Sequence, residues 1–142
     1  MDRKKVLFVC IHNSARSQMA EAFVNTLSGG KIEAFSAGLE PGTLNPVVVE
    51  VMKEVGIDIS GATTKSVFDF YKSGTLFSHV FTVCDEASGQ LCPIFPGLTK
   101  NIHWSFPDPS ALTGTREEIL QKTREIRDMV RAKVEEFLRS VD

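Results

Sequence analysis

A chain of 142 residues with 42% hydrophobic and 24% charged content has the composition of one globular domain, long enough to bury roughly two thirds of its unfolded surface. A net charge of −2 excludes a general electrostatic attraction to nucleic acid or anionic lipid, so any anion site has to be assembled locally from a few donors. No repeat, low-complexity tract or linker-like run marks a boundary, and a single domain over residues 1–142 is expected.

The basic start "MDRKKVLFVCI" carries an apolar run too short for a signal-peptide core, and no span approaches transmembrane length. A cytoplasmic protein with no membrane partner is therefore expected, in a compartment where thiols stay reduced. Three cysteines, Cys10, Cys84 and Cys92, cannot all be paired at once, which favours thiol chemistry over stapling.

"KVLFVC" (5–10) is continuously apolar and reads as a strand buried on both faces. Helix is expected from about Ser14 to Ser28, with Ala20, Phe23, Val24 and Leu27 on one stripe and "GG" as the stop. "IEAFSAG" (32–38) is a second strand. "NPVVVEVMKEVG" (45–56) combines an Asn N-cap, Pro at the first helical position, a Val48/Val51/Met52/Val55 stripe and a closing Gly. "TKSVFDFYKSG" (64–74) reads as a shorter helix, "HVFTVC" (79–84) as a third strand and "NIHWSF" (101–106) as a fourth, closed by "PDPS" (107–110). From Thr115 a capping box with Glu118 opens a long helix that turns Ile126, Val130, Val134, Phe137 and Val141 to the core. Strands alternating with helices give an α/β fold, an open doubly wound, flavodoxin-like four-stranded parallel sheet with helices on both faces. Ligands of such sheets sit at the carboxyl ends of the strands, where Cys10, Cys84 and the "PDPS" loop all lie.

Cys10 and Arg16 fit the spacing C-x5-R, with Ser17 next. A thiol at a strand end is followed by N–H groups from Ile11, His12, Asn13, Ser14, Ala15 and Arg16, and by a guanidinium able to hold two oxygens of a tetrahedral oxyanion. The start of a helix, Arg16 and a hydroxyl donor at Ser17 favour the thiolate of Cys10, the nucleophilic form. The blander alternative makes Cys10 a buried small residue, Ser14 a helix cap and Arg16 a solvated first-turn charge. The agreement of strand, polar loop and helix favours the site, with His12 and Asn13 shaping the loop; Asn tolerates the left-handed backbone such a loop requires.

"CIHNSARSQ" with "FSAG", the later "C…CP" pair and "HWSFPDPS" resembles the thioredoxin-coupled arsenate reductases built on the low-molecular-weight protein tyrosine phosphatase fold, over nearly the whole chain. The resemblance implies that Cys10 attacks arsenate, for which phosphate is an analogue, that Arg16 and the loop amides hold the oxyanion, and that Asp108 donates a proton to the leaving oxygen. It also implies a relay in which Cys84 attacks Cys10, arsenite leaves, and Cys92 attacks Cys84 to carry the disulfide outward. No bound cofactor or metal is expected; electrons come from a thiol donor such as thioredoxin, with glutaredoxin or glutathione as alternatives, and a monomer is expected.

A phosphatase would need only Cys10, Arg16, Ser17 and Asp108, and hydrolysis of small phosphomonoesters or phosphotyrosine is the alternative reading. "CDEASGQLCP" (84–93) would then be idle, with Cys84 a buried strand residue and Cys92 an incidental one. An arsenite- or redox-sensing thiol protein is a third reading, one without use for Arg16 or Asp108. Zinc held by Cys84, Cys92 and His103 lacks the tight C-x2-C knuckle of structural sites. Ser110 and Ala111 after the "DP" pair, and "LEPGTL" (39–44) without an aromatic, offer no wall for a phosphotyrosine ring and favour a small inorganic oxyanion. Some members of the resembled family bind potassium through residues that correspond here to Asn13, Glu21, Ser36 and Lys65; a lysine in the last position implies that its ammonium replaces the ion and that potassium has little effect on rate.

Overall fold

The computed structural model describes residues 4–83 and 100–140. Four strands, β1 (Lys4–Cys10), β2 (Ile32–Gly38), β3 (His79–Thr82) and β4 (Lys100–His103), form one parallel sheet in the order β2-β1-β3-β4. Helices α1 (Arg16–Leu27), α2 (Pro46–Glu54) and α4 (Arg116–Ser140) cover the face to which Val6, Phe8 and Cys10 point, and α3 (Val67–Ser73) covers the face of Leu7 and Val9. Both faces of β1 are thus buried, which is why its sequence is continuously apolar instead of alternating. The doubly wound parallel sheet expected from the sequence is the one observed. Among the described residues no helix is long and apolar enough to cross a membrane.

Local chemistry explains most boundaries. Asn45 caps α2 by accepting from the amides of Val47 and Val48, Pro46 occupies the first helical position, and Gly56 follows at φ 82°. Ser66 caps α3, and Gly74 closes it in the left-handed region. At the start of α4 the Glu118 amide donates to Thr115 Oγ1, one half of the expected capping box, while the Thr115 hydroxyl donates to Glu118 Oε1; Ile126, Val130, Val134 and Phe137 of α4 are buried.

Several features differ from expectation. Helix α1 begins at Arg16, because the Ser14 carbonyl is committed to the Asn45 amide and residues 11–15 belong to the loop. Leu27, assigned to the apolar stripe, is 36% exposed, one turn beyond the core. Strand β3 ends at Thr82 and β4 at His103, and Pro109–Ala111 form a 3-10 turn capped by Asp108. Cys84, Cys92 and Val141 lie outside the described residues.

Helices α2 and α4 are clamped together by polar contacts. Arg116 grips Glu50, Arg124 and Arg127 both bond Glu54, and the buried Arg127 also donates to the Val51 carbonyl. Hydrogen bonding to Arg124 foremost holds the Glu54 carboxyl below its usual range. The clamp fixes the middle and end of α2 against α4, and α2 follows directly on the segment 39–45 that backs the loop after β1.

Candidate active site

The connections leaving β1 and β2 run in opposite directions across the sheet, so the carboxyl end of β1 is the switch point at which open parallel sheets bind ligands. Cys10 is the last residue of β1 and is 3% exposed. The Asn13 amide donates to its Sγ at 3.0 Å, and Ser17 Oγ lies 3.0 Å from the same sulfur. Asn13 Nδ2 donates to Ser17 Oγ at 2.8 Å, which leaves the serine hydroxyl hydrogen free to point at Sγ. Two donors therefore converge on the sulfur of Cys10.

The loop's carbonyls are all turned away from its centre. The oxygens of Cys10, Ile11, His12 and Ser14 accept from the amides of Leu39, Glu40, Gly42 and Asn45, and that of Ala15 accepts from Met19 within α1. The Asn13 oxygen accepts from Gln18 Nε2. With every carbonyl from 10 to 15 engaged outside, the N–H groups of the same peptide units are left to converge inward, the geometry of an anion-binding nest. Gly38 makes the close approach possible, because a β carbon there would lie 2.7 Å from the Ile11 oxygen and 2.9 Å from the Asn13 nitrogen. Asn13 takes φ 55°, the left-handed conformation expected of it.

Arg16 is buried and held by the Phe106 carbonyl at 3.1 Å, with Asp108 Oδ2 at 3.7 Å. Asp108 is tied by its other oxygen to the Ser110 amide, while Ser110 Oγ accepts from Asn45 Nδ2. The loop thus brings together Cys10, Ile11, His12, Asn13, Ser14, Ala15, Arg16 and Ser17, and the turn after β4 brings Asp108 to Arg16. His12 is on the exposed side with Nδ1 3.0 Å from the Glu40 carbonyl oxygen. His103 lies on the edge strand, its Nδ1 2.8 Å from Thr82 Oγ1. Cys84 and Cys92 are outside the described residues.

Glu21 and Lys65 sit behind the loop. Burial pushes the Glu21 carboxyl up from its usual value, and the Lys65 charge only partly offsets this. The Ser36 hydroxyl is buried and falls short of good hydrogen-bond geometry, yet its dipole and the Ser36 amide also favour the carboxylate. Lys65 Nζ donates to the Thr63 carbonyl, and the Lys65 amide donates to Asn13 Oδ1. The Lys65 ammonium is thus a positive charge felt by Glu21. Among the described residues no group of three or more His, Cys, Asp or Glu side chains could hold a metal.

Gln18, Gly38, the Phe106 carbonyl and the backing of the loop by segment 39–45 are parts of the site that the residue pattern does not single out. The one available signal was a long polar side chain, Gln18, directly after Arg16 and Ser17 on a helix turning inward.

The pattern of low molecular weight phosphotyrosine protein phosphatases matches residues 5–142. The arsenate reductase of Shouchella clausii is 39% identical over 137 residues, covering 96% of each chain. A solved arsenate reductase in the phosphate binding state superposes with a TM-score of 0.78 at 34% identity, covering 98% of this chain and 99% of that one. The thioredoxin-dependent arsenate reductase of Corynebacterium glutamicum superposes with a TM-score of 0.62 at 27% identity, covering 95% of this chain and 63% of that one.

Proposed function

Because this chain belongs to the low molecular weight phosphotyrosine protein phosphatase family and resembles arsenate reductases along its length, we propose that it reduces arsenate to arsenite through Cys10, Cys84 and Cys92, with thioredoxin restoring the thiols. The observation that carries the reading is the nest after β1, with all six carbonyls turned out, a thiol at its base and a buried arginine at its rim. Tetrahedral oxyanions fit such a nest.

Cys10 thiolate attacks arsenic and a hydroxide leaves as water after taking a proton from Asp108. Arg16, held by the Phe106 carbonyl and facing Asp108, presents its guanidinium charge to the oxyanion. Cys84 thiolate then attacks Cys10 Sγ; the S–As bond breaks with its electron pair on arsenic, which departs as arsenite, leaving a Cys10–Cys84 disulfide. Cys92 attacks Cys84, releasing Cys10 as thiolate, and the dithiol of thioredoxin reduces the resulting Cys84–Cys92 disulfide. The protein would act in the cytoplasm, as a monomer, and with no bound cofactor.

The same Cys10, Arg16, Ser17 and Asp108 are a sufficient set for phosphate ester hydrolysis, which keeps a phosphatase as the second reading. The deciding measurement is arsenate-dependent NADPH oxidation with thioredoxin and thioredoxin reductase, run again with glutathione and glutaredoxin. Turnover with thioredoxin, lost in Cys84→Ser while p-nitrophenyl phosphate hydrolysis persists, is the expected outcome. Hydrolysis without arsenate turnover under either reductant would move the assignment to a phosphatase.

A further inference from the structure

Five of the six carbonyls that turn out of the anion loop are held by main-chain amides, and only that of Asn13 is held by a side chain, Gln18. The peptide that begins with this carbonyl ends in the Ser14 N–H, and in a trans peptide the two groups point in opposite directions. Fixing the Asn13 oxygen outward therefore aims the Ser14 N–H inward. This peptide follows a residue at φ 55°, a conformation sparsely populated by residues with a side chain, and among the described residues no main-chain amide bonds its carbonyl.

We propose that Gln18 is a positioning residue of the oxyanion site, holding the Asn13–Ser14 peptide so that the Ser14 amide faces the bound anion. The inference rests on reading the loop as an oxyanion site. Gln18 is 1% exposed, and its Nε2 lies 3.1 Å from Asn13 O, 3.2 Å from Asn13 Oδ1 and 3.0 Å from the Thr63 carbonyl. Three acceptors around one nitrogen fix the amide's orientation, because the reversed amide would face three oxygens with a fourth. Its Oε1 is buried with no partner, a penalty that an apolar side chain of the same size would not carry. A filler would thus be better apolar; the donor is what the position uses. By gripping Asn13 and Thr63 together, Gln18 also ties the loop to the segment whose Lys65 amide reaches Asn13 Oδ1.

Titration of the reduced protein with inorganic phosphate, by calorimetry and by amide spectra, tests the proposal. Gln18→Met keeps the length and removes the donor. It is expected to weaken phosphate about tenfold, the worth of a buried hydrogen bond or somewhat more. The Ser14 amide should lose its phosphate-induced downfield shift while those of Ile11 and His12 keep theirs, and the KM for arsenate should rise more than kcat falls. A folded Gln18→Met that binds phosphate within twofold of the parent and retains the Ser14 shift overturns the proposal. Should that variant lack a cooperative melt, Gln18→Glu, of equal size but unable to donate when ionised, takes its place with the same expectation and the same overturning result. A parent protein that binds phosphate yet turns over no arsenate leaves Gln18's role supported and removes only the arsenate reading; a parent that does not bind phosphate overturns both.

Discussion

Burial governs Glu21, and its consequence is a pH dependence with a definite sign. The folded protein holds the Glu21 proton more tightly than the unfolded chain, whose pKa is near the ordinary 4.5. Stability contributed by the neutral form is thus complete below that value and is lost as pH rises from it through the higher folded pKa. Glu21→Gln should remove this loss, so its melting temperature relative to the parent climbs across that window and then levels; melting curves that stay parallel at every pH would contradict the assignment. The neighbouring lysine gives a second expectation at the same scale. With the Lys65 ammonium beside Glu21, exchange of sodium for potassium should leave arsenate turnover unchanged, and selective activation by potassium would show that an ion competes for the place.

Gly38 ends β2 and shows how one element shapes another. Any β carbon at this position meets backbone of the anion loop, so Gly38→Ala should push the loop away from β2, destabilise by about 2 kcal/mol and weaken phosphate binding together. Unchanged binding in a destabilised variant would separate the packing role from the site. Legibility at this scale followed the range of the interactions. The α2 signals at Asn45, Pro46 and Gly56 are local, and the helix forms where they say. Helix α1 starts later than the cap-like Ser14 suggests, because the Ser14 carbonyl is claimed by Asn45 from 31 positions away. Arg127 is buried on α4 for an equally non-local reason, its guanidinium reaching across to the Val51 carbonyl of α2, whereas Thr123 bonds the Ile119 carbonyl one turn back on its own helix.

At the scale of the whole molecule, the site is a meeting point of remote segments. The loop after β1 is held by residues 39–45, by Thr63 and Lys65, and through Arg16 by Phe106 and Asp108. An anion bound there should stabilise all of them at once. Phosphate at a hundred times its dissociation constant adds about 2.7 kcal/mol, which for a chain of this size is a rise of roughly 8 °C in melting temperature. No shift at saturating phosphate would mean that the nest does not take the anion. The positions of Cys10, Arg16 and the loop between them follow from the C-x5-R spacing after a buried strand, whereas Asp108 was pointed to by the family resemblance and not by spacing. Gln18 and the backing segment follow from neither, because what defines them is a carbonyl direction, which no residue pattern encodes.

A binding loop made of peptide N–H groups and one guanidinium reads charge and tetrahedral shape, and little else. Arsenate and phosphate present nearly the same shape and charge, so such a loop has almost no means of telling them apart at the moment of capture. If the proposed reading holds, phosphate, wherever it is the more abundant, would occupy the loop most of the time as a competitor. Discrimination must then come after capture, from the ease with which a thiol can take arsenic, and not phosphorus, down by two electrons. The selectivity of such a protein would be a property of its sulfur, and the price of a general anion grip is a rate that falls with the phosphate around it.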